Sequence, residues 1–147
     1  MPPADRLRVF FDADVLIAGA ASTTGASHVL LRLSEFGLFE GVTCGQVLRE
    51  CERNLEAKLP GALPVFRALV TAAAITVTPE AAPDVLDRLR GQAHDDDLPI
   101  LAAAVVSECA YLTTFNLRHY RATSGQIAIT RPGDLVARLR RALTRGN

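Results

Sequence analysis

The chain has 147 residues, 49% of them hydrophobic and 22% charged, and its 16 basic side chains balance 16 acidic ones. That length suits one domain burying about 70% of its unfolded surface, and zero net charge gives no signal for generic electrostatic capture of nucleic acid. The longest apolar stretch, Leu98 to Ser107, falls well short of a membrane span, and the Met1–Arg6 start lacks the apolar core of a signal peptide, so a cytoplasmic protein is expected.

Val9–Phe11 opens the chain as a short buried strand, three apolar residues that end abruptly at Asp12 and Asp14. A carboxylate is costly to desolvate, so Asp12 is expected where that strand meets water. The plain alternative is that Asp12 or Asp14 caps the helix beginning at Val15. Helices follow over Val15–Ala20 and Ser27–Phe36, then a short strand over Leu38–Val42 and a helix over Cys44–Lys58. In that helix Val47, Leu48, Cys51, Leu55 and Leu59 form the apolar stripe, and 3.6-residue geometry turns Glu50 toward one edge of the solvent side. Next come a helix over Leu63–Ala73, a strand over Ile75–Val77, the Pro79–Pro83 turn and a helix over Asp84–Arg90. Leu98–Cys109 is apolar nearly all round, as a helix buried under a sheet must be. Pro99 is tolerated only in its first turn, which puts Asp97 at the N-cap. Strands over Tyr111–Thr113 and Gln126–Ile129 and a helix over Pro132–Leu143 complete the chain.

Strands separated by helical stretches predict a single-domain, three-layer α/β/α fold with a central, mostly parallel sheet, structured over residues 7–143. No repeat, low-complexity tract or linker divides it. Cys44, Cys51 and Cys109 form no C-x-x-C pair and read as buried thiols. His28, His94 and His119 are isolated and lack metal-ligand spacing. Of the cationic residues only Lys58 is not arginine; arginine forks suit bidentate phosphate contacts, which keeps local basic patches open.

Four polar points recur at the edges of these elements: Asp12, Glu50, Asp97 and Asn116. In order, Val9-Phe10-Phe11-Asp12-Ala13-Asp14-Val15-Leu16-Ile17, Val47-Leu48-Arg49-Glu50-Cys51, Asp97-Leu98-Pro99-Ile100-Leu101-Ala102-Ala103-Ala104 and Tyr111-Leu112-Thr113-Thr114-Phe115-Asn116-Leu117 resemble the segments of the PIN-domain ribonucleases. The resemblance runs over nearly the whole chain and is nearest to the VapC-like bacterial branch of toxin components. Each motif alone is weak; the ordered set of four is fairly specific. Asp14 stands where the family usually has Asn, and Asn116 where many members have a fourth Asp.

The resemblance implies a PIN-like fold and a metal-dependent endoribonuclease hydrolysing RNA phosphodiester bonds. RNA is then the substrate, a small antitoxin protein the partner, a homodimer an assembly left open, and no membrane is involved. Clustered carboxylates are hard oxygen ligands suited to Mg2+ or Mn2+. Asp12, Glu50 and Asp97 would be ligands or acceptors from metal-bound water, with Asn116 completing the catalytic set. Asp14, Thr114, Asp96, Arg118 and Arg121 would support it, Thr114 by positioning water or phosphate and the two arginines by contacting the RNA backbone.

Without the resemblance, Asp97 reads as a helix cap with Asp95 and Asp96 in a solvated turn, and Glu50 as a surface residue. Arg138, Arg140, Arg141 and Arg145 read as the wet side of a terminal helix. Two rival functions remain. Phe11-Asp12-Ala13-Asp14-Val15-Leu16 also resembles the nucleophile loop of haloacid-dehalogenase-like phosphatases, with Asp12 taking the phosphoryl group. The remaining order argues against it, since Asp95–Asp97 precede Thr113 and Thr114. A degenerate PIN module that binds RNA or a partner without cutting is the other.

Overall fold

The computed structural model describes residues 6–121 and 127–145. β1 (Arg8–Phe11) is the expected strand, with Val9, Phe10 and Phe11 wholly buried. α1 (Ala13–Ala21) and α2 (Ala26–Glu35) follow, then β2 (Glu40–Cys44) and α3 (Gly45–Lys58). A 3-10 turn (Pro60–Ala62) leads into α4 (Leu63–Ala72), followed by β3 (Thr76–Thr78), α5 (Pro83–Arg88) and α6 (Leu98–Val106). β4 (Tyr111–Thr113), a second 3-10 turn (Leu117–His119), β5 (Ala128–Thr130) and α7 (Pro132–Arg145) end the fold. Proline lies in the first turn of α4, α5, α6 and α7, where its missing N–H is no loss.

The five strands form one sheet in the order β3-β2-β1-β4-β5, every pairing parallel. Parallel neighbours require crossovers, and the right-handed rule sends those running β1→β2→β3 over one face and β3→β4 over the other. Accordingly α1–α4 pack on one another, whereas α5 packs on α6 and α6 lies against β2 and β4. The result is the expected three-layer α/β/α architecture. Central β1 and β2 are buried on both faces and edge β3 is largely exposed, the gradient that two-sided coverage of a parallel sheet produces. Among the described residues no helix is long and apolar enough to cross a membrane.

Several boundaries differ from the sequence expectation for local reasons. The second strand starts at Glu40 rather than Leu38 because Gly37, at φ 79°, closes α2. Its N–H reaches the Ser34 carbonyl at 3.0 Å while that of Leu38 reaches Leu33 at 3.0 Å, a left-handed helix stop that holds Leu38 out of the sheet. α6 ends at Val106 rather than Cys109, because Glu108 turns left-handed at φ 57°. Leu59, expected on the buried stripe of α3, is 50% exposed, since it is the C-cap residue and has left the helix. Leu48 is only partly buried. Gln126, expected to start the last strand, lies outside the described residues. All three cysteines are free and buried.

Candidate functional site

The strand order reverses between β1 and β4: β2 and β3 lie to one side, β5 to the other. Such a reversal leaves a crevice beyond the carboxyl ends of the two central strands. Asp12 and Thr114 leave the sheet at this place, tied down by Asp12 N–H to the Thr113 carbonyl (3.1 Å) and Thr114 N–H to the Thr130 carbonyl (3.0 Å).

Asp12 is not at the water's edge, as the sequence suggested, but only 6% exposed. Burial is tolerated because three donors satisfy it. Its Oδ1 accepts from the Ala13 N–H at 2.8 Å, and its Oδ2 from the hydroxyls of Thr114 at 2.9 Å and Tyr120 at 3.0 Å. Asp12 therefore caps α1 and also faces the crevice. Burial, with the nearby Asp12 and Asp97 carboxylates, pushes the Tyr120 phenol far above its usual range, so it stays a donor.

Asp14 lies beside it on α1. Its Oδ2 accepts from the Phe115 N–H at 3.0 Å and meets the Thr114 hydroxyl at 3.4 Å. Its Oδ1 is buried without a protein partner. Burial first, and the Asp12 charge second, push its carboxyl up to about 6 from the ordinary 3.8. A folded chain that holds this proton more tightly than the unfolded one loses stability as the group ionises; the penalty is complete above the raised value and absent below the ordinary one. Asp14→Asn is thus expected to stabilise the metal-free protein near neutrality, by about 1 kcal/mol after allowing for solvent at this partly exposed group. That gain should fade as pH falls from 6 toward 3.8. Urea unfolding at both ends of the range checks this, and a variant less stable than wild type at neutral pH would refute it.

α3 brings in Glu50. The Cys51 thiol is 3.6 Å from the Ala13 carbonyl, and Gln46 Nε2 donates to the Asp96 carbonyl at 2.9 Å. These contacts clamp the first turns of α3 between α1 and the loop before α6. Glu50, one turn beyond Gln46 on the same side, is exposed at the crevice edge. Partial burial raises its carboxyl, with Asp12 and then Asp97 adding to the rise. Asp97 is likewise raised by burial and then by Asp12, against the lowering effect of His119. Asp14, Glu50 and Asp97, drawn from three separate segments, thus each feel the charge of Asp12.

Asp97 occupies the N-cap position of α6, but its side chain makes no capping bond. Instead its Oδ2 is 3.0 Å from His119 Nδ1. The His94 ring stacks on that of His119 with centroids 4.4 Å apart. This overturns the reading of His94 and His119 as isolated. His94 and His119 are far apart in sequence, but the Ala93–Tyr120 bridge and the His94 N–H to His119 carbonyl bond (2.8 Å) join their loops. Tyr120, His119 and His94 all escaped sequence reasoning; the only signal was their closeness to Asn116 and to Asp97 along the chain.

The other sequence candidates are more peripheral. Asn116 is exposed, and its main-chain N–H donates to the Thr114 hydroxyl at 3.0 Å. Asp96 is exposed and contributes its carbonyl to Gln46. Arg118 and Arg121 are exposed on either side of His119 and Tyr120. A hard dication suits the crevice: the acidic donors are oxygens, their repulsion calls for a counter-charge, and Asp14 Oδ1 is an acceptor with nothing to accept from.

A family model of the PIN domain matches residues 8–118. No curated protein matches the chain. Among solved structures it is similar to VapBC2 from Rickettsia felis bound to a DNA fragment from their promoter, at TM-score 0.67 and 13% identity over 84% of this chain and 97% of that one. Mycobacterium tuberculosis VapC20, a sarcin-ricin loop cleaving toxin, aligns at TM-score 0.44 and 20% identity over 71% of this chain and 86% of that one. The matched span holds both central strands, the acidic crevice and most of the helices, and this chain belongs to the PIN-domain family.

Proposed function

We propose that this protein is a metal-dependent endoribonuclease and the toxin component of a toxin–antitoxin pair. The observation that carries the reading is the gathering of Asp12, Asp14, Glu50 and Asp97 at one crevice, where burial first and the Asp12 charge second push the carboxyls of Asp14, Glu50 and Asp97 up. Asp12, Glu50 and Asp97 would hold Mg2+ or Mn2+, with Asp14 Oδ1 available to the ion or its water. When bound, such an ion supplies Lewis acidity for an attacking water and positive charge beside the phosphodiester. Thr114 and Tyr120 fix the Asp12 oxygen through their hydroxyls. Thr114 also anchors the Asn116 main chain, which leaves the exposed amide free to meet water or phosphate. Arg118 and Arg121 would contact RNA phosphates, which position without reading sequence.

The toxin assignment draws on the likeness in fold to VapBC2, a complex bound to promoter DNA. A small antitoxin protein is the partner it suggests, and a bacterial cytoplasm the setting. The phosphatase alternative is not favoured: Lys58, the sole lysine, is exposed in the last turn of α3, the far end of that helix from the crevice.

Purified protein should cut single-stranded RNA internally with Mg2+ or Mn2+ and stop in EDTA. Intact RNA under every metal condition, with binding retained, would identify a non-cleaving module instead. Metal should also show in stability. Two like charges about 4 Å apart repel by roughly 4 kcal/mol at an effective dielectric near 20. Relieving that repulsion in the folded state alone raises Tm through linkage. Millimolar Mn2+ is therefore expected to raise Tm by several degrees, and an unchanged Tm would count against a formed acidic site.

A further inference from the structure

We propose that His94, Asp97 and His119 form a binding site for a borderline transition-metal dication, Zn2+ in the first instance, beside the acidic crevice. Among the described residues this is the group of three ligating side chains whose donor atoms all lie within 4.8 Å of one another. Ligands on one tetrahedral ion at about 2.0–2.1 Å stand roughly 3.4 Å apart. His119 Nδ1 and Asp97 Oδ2, hydrogen-bonded at 3.0 Å, need part by only a few tenths of an ångström to reach that spacing. The third donor, on the exposed His94, lies within 4.8 Å of both and would move closer to share the ion.

The backbone builds this cluster before any ion arrives. The His94 N–H donates to the His119 carbonyl at 2.8 Å, and the Asp97 N–H to the His94 carbonyl at 2.9 Å. The Ala93–Tyr120 antiparallel bridge pins the same two loops. Donor chemistry separates this site from the crevice. Two imidazoles and one carboxylate suit Zn2+ and its neighbours, whereas all-oxygen sites suit Mg2+. An ion placed between His119 Nδ1 and Asp97 Oδ2 would replace their hydrogen bond and take both donors. Three protein ligands leave a fourth position open, as in zinc sites that keep a water. The site shares Asp97 with the crevice but does not depend on RNA being cleaved.

The test titrates untagged full-length protein with Zn2+ and with Co2+, in millimolar Mg2+ to occupy the crevice. One equivalent of Zn2+ should bind, and Co2+ should give the intense visible bands of a four-coordinate ion. His94→Ala and His119→Ala should each weaken Zn2+ binding by tenfold or more, while Asp12→Asn should leave it within about threefold. The wild-type Co2+ spectrum decides the matter even where a variant fails to fold. Equal Zn2+ affinity in His119→Ala, competition by Mg2+ with loss in Asp12→Asn, or thiolate charge-transfer bands from Cys44, Cys51 or Cys109 would each overturn the proposal.

Discussion

Asp12→Asn is expected to abolish RNA cleavage while leaving the domain folded. The amide is isosteric with the carboxylate and keeps Oδ1 for the Ala13 N–H. Its NH2 then faces the Thr114 and Tyr120 hydroxyls, both of which can accept instead of donate. Thr114 still has Asp14 Oδ2 at 3.4 Å as an outlet for its own proton. The structural cost is therefore about 1 kcal/mol, that of rearranged hydrogen bonds. The functional cost is larger, because removing a unit charge about 4 Å from a bound cation forfeits roughly 4 kcal/mol, or about three orders of magnitude in rate. Single-turnover cleavage of labelled single-stranded RNA measures this, with Tm and circular dichroism checking the fold. Cleavage within tenfold of wild type would remove Asp12 from the centre.

Asp12 and Asp97 stood out in the sequence because each borders a strongly patterned element, whereas Glu50, in the middle of α3, was singled out only by the family resemblance. Asp12 closes three consecutive apolar residues, and Asp97 precedes a proline and a small-residue helix. Such signals are local. The parallel sheet follows from the same local alternation of strands and helices, whereas its strand order, β3-β2-β1-β4-β5, was not legible there.

What escaped was set by tertiary pairing. Tyr120 reaches Asp12 across 108 positions of sequence, and His119 reaches Asp97 across 22. No periodicity links such residues, because the loops that carry them are joined by a single antiparallel bridge between Ala93 and Tyr120. The burial of Asp12 was missed for the same reason. A carboxylate looks too costly to bury until its donors are known, and two of the three come from beyond β4. Asn116 shows the converse: a residue well placed in sequence stands exposed, with only its main chain engaged at the site.

The largest effect on stability is expected at Gly41, inside β2. A Cβ there would stand 2.6 Å from Ile75 Cδ1, 2.6 Å from Ser34 Oγ and 3.1 Å from the Phe11 ring. Phe11 cannot retreat easily, because it is wholly buried and its ring lies against Phe39 with centroids 6.2 Å apart. Ser34 is held by its bond to the Ala73 carbonyl at 2.7 Å, and moving it orphans a buried acceptor. Overpacking costs about 1–3 kcal/mol and the lost bond about 1–3 more. The entropy that a methyl removes from the unfolded chain returns at most about 1 kcal/mol. Gly41→Ala should therefore lose about 1–5 kcal/mol in urea unfolding, and Gly41→Val should take most of the stability of a domain this size. Gly61, with nothing within 4 Å of its Cβ position, should accept alanine with little change. The strain would also reach the site, because the Thr43 hydroxyl on the same strand holds the Phe11 carbonyl at 3.0 Å, immediately before Asp12. Ser34→Ala combined with Gly41→Ala separates the causes: with the hydroxyl gone the added methyl has room, so the double variant should cost less than the two single losses added together. Strict additivity would place the strain on Phe11 and Ile75 instead, and Gly41→Ala as stable as wild type would refute the close packing of β2 against α2.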